Sequence, residues 1–341
     1  MSFSRILIRA PNWVGDSVMS LPALRAIRGR FPEAHIAVLA RPGVADLCRR
    51  ESFQDRVIES PAGHWSEKWR LAGRLRAARF DCAILLPNSF EAALLAWMAG
   101  IPRRIGYRRD GRGFLLTDPI RAPGPGEIPR HERFYYLELL RRAGILEALP
   151  LEEPIRLDGC EQAREAGESR FGRLGLRLPV VGVSPGATNS AAKRWLPERF
   201  AEAAGKLASA VGASIAVFGS PAERPLSEQV AGALLSGHAV ANLAGQTTLG
   251  EFIELAAACR VFLTNDSGAM HIAAALAVPT IAIFGPTDEL ATGPSGPLTR
   301  VLRQPVECSP CLLRECPIDH RCMNGVSVDD VCRAARDVVG M

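Results

Sequence analysis

Residues 261–271 read Val261-Phe262-Leu263-Thr264-Asn265-Asp266-Ser267-Gly268-Ala269-Met270-His271. The first four are apolar or β-branched, which predicts a buried strand, and the polar turn after them leads into a helical pattern. A strand that passes directly into a helix is the repeating unit of parallel sheets. This stretch therefore predicts an α/β fold.

The same alternation extends over most of the chain. It predicts strands at residues 6–8, 36–39, 82–86, 180–183, 215–218, 261–264 and 280–284, and helices at 17–30, 65–78, 131–143 and 327–339. A chain of 341 residues exceeds the usual size of one core. We expect two Rossmann-like domains, at residues 1–160 and 161–325, and a C-terminal helix within 326–341 that could pack back on the first domain.

Composition and charge narrow the class of protein. The chain has 48% hydrophobic and 23% charged residues, as folded soluble proteins do. No signal peptide and no apolar run of the ~20 residues needed to span a membrane is evident, so a cytoplasmic location is expected. Residues 1–160 carry 25 basic and 18 acidic residues, a balance of +7. This charge favours anionic partners or is simply solvated; no nucleic-acid motif accompanies it, so no nucleic-acid partner is expected.

Ligands of parallel sheets bind beyond the carboxyl ends of the strands, so the loops there are candidate sites. The first predicted strand ends in Ala10-Pro11-Asn12-Trp13-Val14-Gly15-Asp16. Asp16 is a candidate catalytic carboxylate, and the alternative is a helix N-cap. The glycine beside it allows a tight turn at the open end of the strand, which favours the catalytic interpretation.

The loop at 184–195 follows the first strand of the second domain. Its small residues allow a phosphate to approach the backbone, Thr188 supplies a hydroxyl, and Lys193 and Arg194 supply charge, so a pyrophosphate would fit. The loop lacks the glycine patterns of dinucleotide dehydrogenases and P-loop nucleotidases. Residues 182–186 match G-x-S-x-G, but Pro185 has no N–H for an oxyanion hole, which argues against a serine hydrolase.

Two further loops complete the predicted nucleotide site. Glu223, in the loop 219–223, could accept from ribose hydroxyls or be merely solvated. Asp266, Ser267 and Gly268 begin a helix whose N–H groups and dipole favour phosphate, with His271 one turn later. The alternative for this loop is a capped helix start with His271 packed inside.

These loops, in this order, resemble the family of ADP-heptose:lipopolysaccharide heptosyltransferases, and the type II enzymes more than type I. The resemblance rests on residues 11–16, 21–24, 86–90, 99–102, 193–195 and 264–268 with His271. It implies a GT-B fold, in which two Rossmann-like domains face each other across a cleft. It also implies inverting transfer of heptose from ADP-heptose to the inner heptose of a Kdo-lipid A core during lipopolysaccharide biosynthesis.

The resemblance further implies roles for individual residues. Asp16 stands where the family keeps its general base. Lys193 and the helix start at Gly268 would stabilise the departing ADP, Glu223 would hold the ribose, and the donor pocket would be lined by Thr188, Asp266, Ser267 and His271. No cofactor is expected for catalysis, because protein cations take over the leaving-group charge. The glycolipid acceptor implies transient, peripheral contact with the inner face of the inner membrane.

The arginine-rich run at 103–112 is predicted to be a loop that projects its charges into solvent. Arg108, Arg109 and Arg112 are candidate acceptor-binding residues, because guanidinium groups bind carboxylates and phosphates in a bidentate way.

Four cysteines near the C-terminus, Cys308, Cys311, Cys316 and Cys322, surround His320. Their spacing allows a structural zinc site, while reduced thiols and disulfides are the alternatives. For the chain as a whole, the alternatives to the heptosyltransferase are a related transferase with another nucleotide sugar or acceptor, an epimerase that turns over without acceptor, and a non-catalytic nucleotide-binding protein.

Overall fold

The computed structural model describes residues 2–60, 63–152, 154–188 and 190–340. The chain divides into two units, Met1–Glu153 and Pro154–Met341. Each unit contains one six-stranded sheet whose strand pairs are parallel. The α/β class and the two Rossmann-like halves predicted from the sequence are confirmed.

The first unit surrounds its sheet with helices. Its strands are β1 (Arg5–Arg9), β2 (His35–Ala40), β3 (Arg56–Glu59), β4 (Cys82–Leu85), β5 (Arg103–Tyr107) and β6 (Asp118–Ile120). Its helices are α1 (Val14–Met19), α2 (Leu21–Arg30), α3 (Pro42–Arg49), α4 (Trp65–Ala77), α5 (Phe90–Met98) and α6 (Arg133–Arg142). The strand order is β3-β2-β1-β4-β5-β6, so the order reverses between β1 and β4. In such sheets the crevice for a ligand lies at that reversal.

The second unit repeats this plan. Its strands are β7 (Val180–Ser184), β8 (Ser214–Val217), β9 (Val240–Asn242), β10 (Val261–Asn265), β11 (Thr280–Phe284) and β12 (Thr299–Arg303). Its helices are α7 (Cys160–Arg173), α8 (Pro197–Val211), α9 (Arg224–Leu234), α10 (Leu249–Ala257), α11 (Gly268–Ala275), α12 (Glu289–Thr292), α13 (Arg321–Asn324) and α14 (Val328–Val339). The order β12-β11-β10-β7-β8-β9 reverses between β10 and β7.

The central strands are buried along their whole length because helices cover both faces of each sheet. Every residue of β7, β10 and β11 is buried. This burial explains why these segments are continuous apolar runs rather than alternating ones. Among the described residues, no helix has the length and apolar character needed to cross a membrane.

Two predicted elements differ from the structure. The helix expected at 17–30 is divided into α1 and α2 at Ser20, because Pro22 lacks the N–H that a continuous helix would require. The run at 103–112 was expected to be a loop, but its first half is the strand β5, paired with β4 and β6. Arg103 and Arg104, together with the arginines that follow, obscured a strand whose Ile105 and Tyr107 are buried.

The structure divides the chain a few residues before the expected domain limit. The first unit ends near residue 153 rather than 160, because the segment that follows joins the second unit, where the Leu157 N–H donates to the Ala275 carbonyl at 3.0 Å. The C-terminal helix α14 was expected as a separate element able to pack on the first domain. Instead, Val331 and Ala335 place its apolar side in the core of the second unit, against α8 and β12.

Candidate active site

The loops after β7, β10 and β11 meet at the carboxyl edge of the second sheet. Lys193, in the loop after β7, places its Nζ 2.7 Å from Oδ2 of Asp266, which follows β10. The same oxygen accepts from the Thr287 hydroxyl at 2.7 Å. Asp266 is buried, and Lys193 is half-buried. An ammonium has three N–H donors and this bond uses one, so the pair can present an oriented cation to an anion.

The side chain of Asn265 holds the loop that carries Lys193 through two hydrogen bonds. Its side-chain oxygen accepts from the Trp195 backbone N–H at 3.0 Å, and its side-chain nitrogen donates to the Pro185 carbonyl at 2.7 Å. One fully buried amide thus holds both ends of the loop that carries Lys193. Asn265 and Thr287 were not singled out from the sequence; Asn265 lies inside a quoted motif, whereas nothing local marks Thr287.

The helix start after β10 has the predicted geometry. Ser267 is the N-cap of α11 in an extended conformation, and its side chain makes no capping bond to the helix. Its hydroxyl instead lies 3.1 Å from that of Thr264. The backbone at Gly268 therefore begins a helix whose positive dipole end is not covered by its own cap side chain. His271 lies on the same helix and is buried, as the packing alternative anticipated.

Glu223 has a structural contact that the sequence did not reveal. Its Oε2 accepts from both the backbone N–H and the hydroxyl of Ser220, each at 2.8 Å, as in a capping box. A Cβ on Gly186 would lie 2.3 Å from the Glu223 carboxyl carbon, so only glycine allows this approach. Glu223 therefore lies against the loop after β7. Thr188, in that loop, is exposed, and its neighbour Asn189 is outside the described residues.

In the first unit, Asp16 lies in the first turn of α1. The N-cap is Trp13, so Asp16 is not the capping residue that the alternative interpretation required. The loop before Asp16 is held by Arg9, whose side chain is buried. The Arg9 guanidinium donates to the Ala10 carbonyl at 2.8 Å and to Oδ1 of Asn12 at 2.7 Å. Burial, and secondarily the charge of Arg41, lowers the pKa of Arg9 to about 10.

The charge of Asp16 acts on a second carboxylate, that of Glu132. Glu132 is the N-cap residue of α6, and α6 packs on α2. Burial, and secondarily the negative charge of Asp16, raises the pKa of Glu132 to about 7. Tyr136, one turn along α6, also has a raised pKa because of its burial and then Asp16. The sequence around Glu132 predicts only the start of a helix, so this carboxylate was not among the predicted site residues.

The arginine run separates into two kinds of residue. Arg108 and Arg109 are exposed, as expected. Arg112 is fully buried, which corrects its predicted exposure. Its guanidinium donates to the carbonyls of Tyr107, Pro87 and Ser89, and burial lowers its pKa to about 10. A guanidinium can satisfy several carbonyls at once, and here it ties the loop after β4 to the end of β5.

The cysteine segment, residues 308–322, lies beside the Lys193 loop. The Ala192 N–H donates to the Arg314 carbonyl at 3.0 Å, and the His320 ring N–H donates to the Ala192 carbonyl at 2.6 Å. Cys308 and Cys311 are exposed, whereas Cys322 is buried. Within the described parts of the chain, no group of three or more His, Cys, Asp or Glu side chains is placed to hold a metal ion.

Comparison with known proteins agrees with this arrangement. Residues 68–321 match the model of glycosyltransferase family 9 (heptosyltransferase). The chain is 36% identical over 308 residues to lipopolysaccharide heptosyltransferase 2 of Salmonella typhimurium, covering 88% of both chains. It is 35% identical over 310 residues to lipooligosaccharide heptosyltransferase 2 of Haemophilus influenzae, covering 87% of this chain and 88% of the relative.

Among solved structures, the chain is similar to the ADP-heptose lps heptosyltransferase II of E. coli, with a TM-score of 0.82, 30% identity and 98% of both chains covered. This similarity confirms the predicted GT-B type of α/β fold. The chain is a glycosyltransferase and belongs to glycosyltransferase family 9, the heptosyltransferases.

Proposed function

We propose that this enzyme transfers L-glycero-D-manno-heptose from ADP-heptose to the inner heptose of a Kdo-lipid A core. The observation that carries the proposal is the Lys193–Asp266 pair beside the start of α11, a site suited to a diphosphate. The sugar specificity rests on the relatives, whose names include lipopolysaccharide heptosyltransferase 2 and ADP-heptose lps heptosyltransferase II.

On this proposal, the donor is held by residues of the second unit. Lys193 and the backbone N–H groups at Gly268 bind the diphosphate, with Ser267 at the helix cap. Asp266 orients the Lys193 ammonium, and Glu223 accepts from the ribose. Thr188 and His271 complete the pocket, with His271 buried on α11.

The reaction is proposed to be a single displacement with inversion. An acceptor hydroxyl oxygen attacks the anomeric carbon of the heptose from the face opposite the leaving group. The bond from that carbon to the phosphate oxygen breaks, ADP leaves with the bonding electrons, and the hydroxyl proton passes to the Asp16 carboxylate. Lys193 and the α11 dipole stabilise the charge that develops on ADP. Exposed Arg108 and Arg109 are proposed to contact acceptor anions.

The test uses purified protein, ADP-heptose and a Kdo-lipid A acceptor that carries one heptose. Mass spectrometry should show the gain of one heptose on the acceptor and the release of one ADP. An acceptor without the inner heptose and a mixture without acceptor are the controls. Turnover without acceptor would indicate an epimerase or hydrolase, and transfer only from another nucleotide sugar would contradict the proposed donor.

Two finer points belong to the same proposal. The lipid-linked acceptor requires the enzyme to work from the cytoplasm at the inner face of the inner membrane, with transient, peripheral contact. We also propose, from the spacing of Cys308, Cys311, Cys316 and Cys322, a structural zinc ion; the described structure does not group these side chains for it, so binding would have to draw them together. Burial raises the pKa of Cys322, a hydrogen bond from the Met323 backbone N–H lowers it, and the charges of the other three thiols raise it. Four thiolates are a donor set that zinc accepts.

A further inference from the structure

The tryptophans of this chain are distributed unevenly. The sequence contains five, and Trp195 is completely buried in the second unit, whereas Trp13, Trp65, Trp69 and Trp97 of the first unit are each more than half exposed. Isolated apolar side chains on a surface are ordinary, but a concentration of large aromatic residues indicates an interaction surface. Three of these tryptophans, Trp65, Trp69 and Trp97, lie on the neighbouring helices α4 and α5.

The exposed aromatic residues of this region lie on α4, on α5 and in the segment after β5. Trp65 and Trp69 are four residues apart on α4, and Phe90 and Trp97 are seven apart on α5, so each pair shares a helix face. The helices α4 and α5 contact each other. The ring of Phe114 lies 6.1 Å from that of Phe90, and its side chain is 77% exposed. We call these five residues the aromatic face.

Basic side chains accompany the aromatic face. Helix α4 contains four basic residues and one acidic residue. Lys68 lies over the Trp65 ring at 5.1 Å and bonds Glu91 at 2.6 Å, which links α4 to the start of α5. Arg70 and Arg74 are exposed on α4. Near Phe114, a Cβ on Gly113 would lie 2.8 Å from Cγ of Arg108, so the stem of that arginine lies along the same surface.

Exposed aromatic rings beside basic side chains favour a membrane surface as the partner. Tryptophan rings favour the boundary between lipid headgroups and acyl chains, and exposed Lys and Arg are attracted to anionic headgroups. A polyanion without rings of its own, such as inorganic polyphosphate, would explain the charge but not the exposed aromatic side chains, and no nucleic-acid motif accompanies them. A second copy of the chain would bring these like charges together.

We infer that the aromatic face docks the first unit on the surface of an anionic lipid bilayer. This inference rests on the proposed function, because that function needs a lipid-anchored acceptor. The inference adds which surface of the protein meets the membrane. The aromatic rings enter the headgroup region while Arg70 and Arg74 contact lipid phosphates. Helix α4 lies flat on the membrane, with its opposite side, at Leu71 and Leu75, in the protein core.

The test is co-sedimentation of the full chain with vesicles of phosphatidylcholine alone or mixed with phosphatidylglycerol, with neither donor nor acceptor present. The wild type should bind the mixed vesicles, and Arg70→Gln with Arg74→Gln should weaken that binding roughly thirtyfold at low salt. Trp65→Ser with Trp69→Ser should weaken vesicle binding by about tenfold or more, because the variant has no indole rings to transfer from water into the bilayer. Leu174→Ser with Leu235→Ser, two exposed apolar residues of the second unit, is the matched control and should bind as the wild type does.

Two measurements separate this inference from its rivals. The Trp65/Trp69 variant should bind ADP and transfer heptose to a delipidated, water-soluble acceptor as the wild type does. If neither the wild type nor any variant transfers heptose, the proposed function is contradicted, but the vesicle-binding result still stands. Equal vesicle binding by the tryptophan variant and the leucine control overturns the inference. So does a wild-type dimer in analytical ultracentrifugation that the tryptophan variant dissociates, since the face would then join two copies of the chain.

Discussion

Lys193 and Asp266 are 73 positions apart in the chain, yet Nζ and Oδ2 of their side chains lie 2.7 Å apart. The pair joins the loops after two adjacent strands, β7 and β10, and Thr287 adds the loop after β11. A cation held in this way is oriented before any ligand arrives, which reduces the entropy lost on binding.

The first prediction concerns that cation. Lys193→Ala should weaken ADP binding by roughly ten- to a hundredfold, because a charge-assisted hydrogen bond contributes about 1.5–3 kcal/mol. Isothermal titration calorimetry with ADP measures the effect. Lys206→Ala is the control, since Lys206 is an exposed lysine of α8 paired with Glu202. If both variants bind ADP as the wild type does, the diphosphate lies elsewhere.

The second prediction concerns Asp16. Asp16→Asn should lower kcat by roughly 10²–10⁴-fold and leave ADP affinity unchanged, as expected when a general base is lost. Steady-state kinetics with the heptosylated acceptor provide the measurement. Asp46→Asn, at an exposed pair with Arg49 on α3, should keep wild-type turnover. Retention of more than about a tenth of wild-type kcat by a folded Asp16→Asn protein would limit Asp16 to a structural role.

The third prediction follows from the raised pKa of Glu132. The pKa of this carboxyl rises from 4.5 in the unfolded chain to about 7 in the fold, so the folded state binds the proton more tightly. The stabilisation from this proton is complete below about pH 4.5 and is lost as the pH rises through about 7. Urea unfolding should therefore show the wild type losing on the order of 2 kcal/mol relative to Glu132→Gln across this window.

Kinetics give an independent check on Glu132. The glutamine variant cannot ionise, so an inflection near pH 7 in the wild-type kcat/KM profile should disappear from it. Identical pH dependence of both stability and kcat/KM in the two proteins would show that Glu132 does not titrate in this range.

The fourth prediction concerns two exposed arginines, Arg108 and Arg109. Arg108→Gln with Arg109→Gln should raise the acceptor KM at low salt, with a smaller effect at higher salt, because exposed charges are screened beyond a Debye length of about 8 Å. Folding and ADP affinity should not change. Arg164→Gln with Arg173→Gln, on exposed α7 positions, is the matched control. An acceptor KM equal to that of the control at both salt levels would remove these arginines from the acceptor site.

Arg112 should behave differently. Arg112→Gln deprives buried carbonyls of their donor and should lower the free energy of unfolding by roughly 2–4 kcal/mol. A melting temperature equal to that of the wild type would contradict the bracing role inferred from its three carbonyl contacts.

The fifth prediction concerns the cysteine segment. If zinc is bound, protein purified under reducing conditions should contain about one equivalent, and Cys308→Ser with Cys311→Ser should lower both metal content and melting temperature. Because the segment contacts Ala192, ADP affinity should fall as well. Cys160→Ser, in the same unit but outside the segment, should change neither metal content nor ADP affinity. Metal-free protein with full stability would end the zinc proposal.

The sequence by itself determined the α/β class, most of the central strands and the loops that carry Asp16, Lys193 and Asp266. These features are local: an apolar run, a turn residue and a helical period are encoded within about ten residues, and loops after parallel strands gather at one edge of a sheet. The predicted strand at 280–284 matches β11 at both ends for this reason.

Only the tertiary structure decided which side chains meet and which are buried. Nothing in the sequence near Lys193 indicates that Asp266 and Thr287 will hold it. Nothing near Asp16 indicates that its charge will act on Glu132. The arginine-rich run concealed both the strand β5 and the burial of Arg112. These relationships join residues far apart in the chain, and their free energy depends on burial and on partners that the fold supplies. Local pattern cannot encode such partners, because a charged side chain has the same sequence signature whether the fold leaves it in water or surrounds it with carbonyl groups.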